Sequence, residues 1–125
     1  MSKAKPASLP TNTVIGGYRI VRRISSGGFG VVYLALAPDG QQVAIKEYLP
    51  SSLASRAPGA LLPEVEPDKL SLYRLGLKSF FEEGRALAQI SHPSVVSVYN
   101  FFRENDTVYM VMNYLEGATL QDFIV

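Results

Sequence analysis

The sequence predicts an α+β domain of five strands and one long helix, and three observations carry that prediction. Two β-branched, apolar runs, residues 31–36 and 41–48, flank the turn signal Pro38-Asp39-Gly40. A stretch from about 68 to 90 repeats apolar residues at helical spacing. Two further strand-like runs, 95–102 and 107–112, are separated by the turn Glu104-Asn105-Asp106.

Taken in order, residues 1–17 are expected to be a flexible leader, small, polar and proline-containing over 1–13. Ordered structure is expected near Tyr18, where apolar and basic residues partly alternate as far as Ile24. Ser25-Ser26-Gly27-Gly28 breaks that first strand. Residues 31–36 and 41–48 complete a three-stranded meander. Residues 49–67 hold four prolines and read as an irregular insertion with a short helical turn near 51–55. The long helix then starts close to Pro67 and ends at His92-Pro93. After the last two strands, 115–117 reads as a linker and 119–125 as the opening of another helix.

Composition bounds the function. The 125 residues suffice for one domain and are too few for two. With 47% hydrophobic and 18% charged residues, a disordered tail is excluded. The net charge of +1 offers no basic field for nucleic acid or acidic lipid. Zero Cys removes disulfides, thiolate metal sites and Cys nucleophiles, and a single His removes a multi-histidine centre. The longest apolar run, 31–37, is far short of a membrane span, and 1–13 has no apolar signal core, so a cytoplasmic setting is expected.

Three local patterns bear on chemistry. Ser26-Gly27-Gly28-Phe29-Gly30 joins two strands, and its glycines let backbone N–H groups approach an anion closely. An ordinary glycine-rich hairpin fits the same residues. A dinucleotide-binding Rossmann loop does not, because it leads into a helix and here a strand follows. In Val43-Ala44-Ile45-Lys46, Ala44 and Lys46 share one strand face, suiting a flat ring with a phosphate tail; a lysine snorkelling from a strand edge fits equally. On the helix, Phe80, Glu83, Leu87 and Ile90 form one stripe, while Lys78, Glu82, Arg85 and Gln89 form a polar one. Glu83 then lies in an apolar face, where a carboxylate needs a cation, and Lys46 is the lysine placed within a strand. Alternatively Glu83 lies at the stripe's margin and reaches water. Adjacent Glu82 and Glu83 are no glycosidase pair, since about 100° separates neighbouring helical side chains. His92 reads as a turn residue, and Tyr99, Phe101, Phe102 and Tyr109 as sheet core.

In this order, glycine loop, Val-Ala-Ile-Lys strand, helix with an inward Glu, His-Pro, two strands and a linker, the chain resembles the N-terminal lobe of the protein kinase family, and looks most like the eukaryotic-like Ser/Thr kinases of bacteria. The resemblance spans about 18–125 and implies a five-stranded antiparallel sheet with one main helix, the αC-type helix of that lobe. It implies that Ser26, Gly27, Gly28, Phe29 and Gly30 cover the ATP phosphates and that Val32 and Ala44 pack on the adenine. Lys46 would hold the α- and β-phosphates and pair with Glu83, the two being the catalytic residues of this lobe. Leu87 and Val98 would join the hydrophobic spine, Met112 would be the gatekeeper, and Asn113 to Leu115 the hinge bonding the adenine edge.

Two departures stand out. The glycine loop begins with Ser25 where the family has Gly, and Lys46 and Glu83 are 37 residues apart, longer than usual, because of the 49–67 insertion. No His-Arg-Asp or Asp-Phe-Gly motif is present in the 125 residues. The resemblance therefore implies a lobe excised from a longer kinase, inactive alone, whose Mg²⁺ ligands and protein-substrate surface belong to a C-lobe. Its alternative is a pseudokinase or a kinase-like docking or scaffold module. With Phe123, Ile124 and Val125 left without partners, alongside cleft-facing groups such as Val32 and Met112, self-association through the cleft side or the C-terminal segment is expected, most simply as a symmetric dimer.

Overall fold

The structure, a computed structural model, describes residues 7–88 and 98–114, with side chains through residue 86 in the first span. Along the chain run β1 Val14–Ile15, β2 Tyr18–Gly27, β3 Gly30–Leu36, β4 Gln42–Tyr48, β5 Ala54–Ser55 and β6 Glu64–Val65. A 3₁₀ turn, Pro67–Lys69, leads into helix α1, Leu70–Ala88, followed by β7 Val98–Glu104 and β8 Thr107–Asn113. Six strands form one sheet in the order β1-β2-β3-β4-β8-β7, every pairing antiparallel. The five expected strands are all present, and β1 adds a short sixth at the edge. Among the described residues no helix is long and apolar enough to cross a membrane.

The turn chemistry accounts for the connections. Gly40 has φ 86° in the turn between β3 and β4. Asn105 and Asp106, with φ of 54° and 56°, close the two-residue turn between Glu104 and Thr107, and both residue types tolerate that conformation. β2 continues past Ile24 to Gly27 by means of two register irregularities, between Ile20 and Arg22 and between Arg23 and Ser25. The 3₁₀ turn carries Pro67 at its start, where a missing N–H costs nothing.

Strand alternation divides the sheet into two faces. Ala44, Lys46 and Tyr48 lie on one, Val43, Ile45 and Glu47 on the other. Helix α1 covers the first with a buried stripe of Tyr73, Leu77, Phe80 and Gly84. Tyr48 packs between the rings of Tyr73 and Phe80, at centroid distances of 5.3 and 5.6 Å, and its hydroxyl donates to the Tyr73 carbonyl oxygen at 3.0 Å. Phe81 meets Phe101 edge-on at 4.8 Å. Gly84 lets the helix come close to the sheet: a Cβ there would stand 3.0 Å from Met110 Cε.

The second face is covered by segments that sequence composition had set apart. Leu9 and Ile15, expected in a flexible leader, are 4% and 1% exposed, and the Leu9 amide donates to the Tyr33 hydroxyl at 2.9 Å. These two apolar side chains, the pairing of β1 with β2 and backbone bonds such as Asn12 N–H to the Ile20 carbonyl oxygen at 2.8 Å anchor residues 7–17. The insertion is also built. Its first turn is closed by the amides of Leu53 and Ala54 on the Pro50 carbonyl oxygen, and β5 pairs with β6. Arg56 then reaches back to Glu47 in a two-pronged ion pair, Nη1–Oε2 and Nη2–Oε1 both 2.8 Å, with neither side chain exposed. Tyr33 donates to Glu47 Oε1 at 2.7 Å, and Arg56 Nη2 and Nε donate to the Tyr33 hydroxyl and the Ala7 carbonyl at 3.0 and 2.8 Å.

Two stability measurements check this packing. Removing one partner of a buried pair strands the other's charge, so Arg56→Met is expected to lose about 3–5 kcal/mol in urea unfolding. A midpoint unchanged from wild type would mean that water reaches Glu47. Gly76→Ala puts a Cβ 2.2 Å from the Tyr48 hydroxyl, so it is expected to destabilise by ~1–3 kcal/mol despite alanine's better helix propensity. Tyr48→Phe in the same chain should recover part of that loss; strict additivity of the two changes would place the clash elsewhere.

Candidate nucleotide-binding site

The sheet face under α1 gathers the residues singled out for nucleotide binding. In the ladder Val32 stands opposite Lys46, while Ala44 stands opposite both Leu34 and Met112. Met110, on the same face, is opposite Lys46. The order of β3, β4 and β8 thus assembles Val32, Ala44, Lys46 and Met112 from three separate stretches of chain. Asn113 ends β8 opposite Val43 and is half-buried. Leu115 lies outside the described residues, as does the side chain of Leu87. Val98 is opposite Met112 and half-buried.

The glycine segment forms the hairpin between β2 and β3. Ser26 pairs with Val31 and Gly27 with Gly30, leaving Gly28 and Phe29 at the tip. Glycine is required at 30: its φ is 152°, and a Cβ would fall 1.9 Å from the Glu47 carbonyl oxygen. At Gly28 a Cβ would meet nothing within 4 Å, so the tip is open on that side. Phe29 turns inward, its ring centroid 4.8 Å from Lys46 Nζ, and the Phe80 ring lies 5.6 Å from the same ammonium on the helix side.

Lys46 is 8% exposed. Burial pulls its pKa below the usual lysine value, and the negative charge of Glu83 partly opposes that pull. Glu83 acts at a distance, however. Among the described residues the ion pairs are Arg56–Glu47 and Lys69–Glu66, and Lys46–Glu83 is not closed. Glu83 is exposed, as Glu82 is. The expected inward stripe through Phe80 and Glu83 is therefore rotated: the buried line runs through Tyr73, Leu77, Phe80 and Gly84, with Glu83 at its margin. The close approach of Gly84 to Met110 turns that edge of the helix to the sheet and leaves its neighbour outside.

The apolar residues expected to pack on adenine are covered. Val32, Ala44 and Met112 each have 0% exposure, so Val32 and Met112 add nothing to an exposed apolar patch; residues 123–125, the other part of that expectation, lie outside the described residues. Among the described residues no group of three or more His, Cys, Asp or Glu could hold a metal ion.

Behind Lys46, on the opposite face, is a set of polar residues that the sequence reading did not single out. Burial and the Glu47 charge push the phenols of Tyr33 and Tyr109 well above the usual tyrosine range. Burial works against the Arg56 charge, but the hydrogen bonds and charge of Glu47 outweigh it and raise the guanidinium above its ordinary value. Alternation placed Glu47 on the face opposite Lys46; nothing local marked Arg56, nine residues away in the insertion, as its partner.

The sequence and fold have relatives. The protein kinase domain family profile matches residues 18–125. The Ser/Thr-protein kinase PknD of Chlamydia pneumoniae is 36% identical over 108 residues, which is 86% of this chain and 10% of PknD. PrkC of Bacillus subtilis, also a Ser/Thr-protein kinase, is 33% identical over 113 residues, 89% of this chain and 14% of PrkC. The chain thus spans about a tenth of the length of the curated relatives it matches. Among solved structures, the apo form of PpkA-294 superposes with a TM-score of 0.80 at 38% identity, over 86% of this chain and 38% of that one. With the glycine hairpin, the Val-Ala-Ile-Lys strand and the helix in the order this sheet requires, the chain belongs to the protein kinase family.

Proposed function

We propose that this chain is the ATP-binding lobe of a Ser/Thr protein kinase, which transfers the γ-phosphoryl group of ATP to protein Ser or Thr hydroxyls. The observation that carries the reading is Lys46. It is a buried lysine on an apolar sheet face, beside a glycine hairpin, with Glu83 as the opposite charge that it feels. ATP suits the chemistry of these residues: Val32, Ala44 and Met112, covered in the arrangement described, become an apolar surface for the base once uncovered, and Lys46 with the amides around Gly28 offers positive partners for phosphate. The names of PknD and PrkC support the same reading.

In the arrangement described, Phe29 covers the Lys46 ammonium and Glu83 stands off. Nucleotide entry then involves withdrawal of the Phe29 ring, and closure of Glu83 onto Lys46 accompanies it. Phosphate oxygens replace the aromatic faces as partners of the cation. Mg²⁺, the general base and the acceptor-peptide surface are assigned to the rest of the kinase, so the 125-residue chain by itself transfers no phosphoryl group. The alternative, a kinase-like docking or scaffold module, draws on the covered state of Val32, Ala44 and Met112.

In the full-length kinase, Lys46→Met is expected to abolish phosphorylation of a Ser/Thr protein substrate while leaving thermal unfolding close to wild type. An undiminished rate would overturn the role of Lys46. A wild-type chain that never phosphorylates but still binds a partner protein would favour the docking module. The electrostatics give a second check. Because the folded pKa of Lys46 lies below its unfolded value, the unfolded chain holds more protons between the two, and this group adds stability as pH rises through the folded pKa. Glu83→Gln removes the opposing influence, so the Lys46 titration seen by NMR should move to lower pH, and the rise in stability should start at lower pH with it. A shift upward, or none, would show that Glu83 does not act on Lys46.

A further inference from the structure

The glycine hairpin is held from outside. The Leu49 amide donates to the Phe29 carbonyl oxygen at 3.0 Å, and the Ser51 amide to the Gly28 carbonyl oxygen at 3.1 Å. These are the two tip residues of the hairpin, and both donors belong to the segment that follows β4. A pocket of about 120 Å³ opens beside these bonds, lined by residues of both segments, Gly28, Gly30, Val31, Leu49 and Ser51 among them.

The segment that supplies the donors is itself fixed at both ends. At one end it continues β4 from Glu47 and Tyr48. At the other, Arg56 returns to Glu47 with two 2.8 Å hydrogen bonds, so residues 47–56 form a closed loop. Between them the amides of Leu53 and Ala54 converge on the Pro50 carbonyl oxygen, at 3.0 and 2.9 Å, and set the turn that carries Ser51.

The geometry points to residues 49–56 as a tether that positions the phosphate-binding hairpin, with the amides of Leu49 and Ser51 as its contacts and Arg56 as its anchor. This rests on the kinase reading for its functional meaning, but the tether itself is a property of the fold. Glycine-rich tips lose much conformational freedom on ordering, and a tip ordered in advance spares a ligand that cost. The orientation also matters. In a trans peptide the N–H points opposite the C=O, so turning the Gly28 carbonyl toward Ser51 aims the Phe29 amide away from the tether. Arg56 and Ser51 touch no substrate in this account and act as positioning residues.

Ser51→Pro isolates the tether. Ser51 is the second residue of the turn closed between Pro50 and Leu53, a position that proline favours, so the substitution removes the amide donor and keeps the turn. In the 125-residue chain, ¹⁵N relaxation is expected to show the Gly28 and Phe29 order parameters falling below about 0.6, while β8 stays near about 0.85. Arg56→Lys, which keeps the charge and loses the fork, should lower the same two values. Unchanged tip values in Ser51→Pro, or a loss of order spread evenly over the sheet in Arg56→Lys, would overturn the tether or its anchor. In the full-length kinase, Ser51→Pro should raise KM for ATP about fivefold, the scale of one hydrogen bond, with kcat within about twofold. A simple loss of folded protein would instead lower kcat and leave KM unchanged, and that result would overturn the positioning role. A wild-type kinase without phosphotransfer would overturn the kinase reading alone, and the relaxation result would still decide the tether.

Discussion

Glu47 has no contact with solvent, and the residue before it, Lys46, is buried on the opposite face of the same strand. Two charges of opposite sign are thus carried by neighbouring residues into different interiors. A buried carboxylate is costly unless paired and fully hydrogen-bonded. Here the two-pronged contact from Arg56 and the hydroxyl of Tyr33 supply the partners. To deliver Arg56, the insertion has to fold back over the sheet, and to complete Arg56's own hydrogen bonds the chain at Ala7 has to lie alongside. The leader, the insertion and the outer sheet face thus meet around one carboxylate.

The same constraint reaches the face that carries Lys46. Fixing Glu47 fixes the end of β4, and with it the carbonyl oxygen that leaves room only for glycine at position 30. The hairpin tip then lies against Leu49 and Ser51. Lys46 keeps its place between Phe29 and Phe80, with aromatic faces in place of water around its ammonium. Burial there lowers its pKa, a perturbation frequent at functional sites.

Helix α1 is set by close approaches. Gly76 admits the Tyr48 hydroxyl and Gly84 admits Met110, so the helix lies close to the sheet at these two points while Tyr73, Leu77 and Phe80 fill the space between. Glu83 lies at the margin of that packed line. Where Glu83 lies is thus a matter of packing along the helix and not of the stripe's spacing alone.

Local patterns in the chain were enough for the five longer strands, the main helix and the side-by-side placing of Ala44 and Lys46, though not for β1, β5 or β6. Turn residues at 38–40 and 104–106, the β-branched runs and the helical repeat are short-range signals, and strand alternation puts Ala44 beside Lys46 without any knowledge of neighbours. Adjacency across the sheet, which brings Met112 and Val32 to the same place, entered through resemblance to a family of known fold. What local patterns could not supply was long-range pairing. Leu9 and Ile15 looked like part of a polar leader because two apolar residues make no period, yet burial depends on what they meet. Arg56 sat in a proline-containing stretch with no repeat, and its partner is fixed by a turn and a hairpin that only the folded chain assembles. The spacing of Phe80, Glu83 and Leu87 defined a stripe, but the rotation of the helix is chosen by contacts at Gly76 and Gly84, because packing against the sheet outweighs the preference of any one side chain.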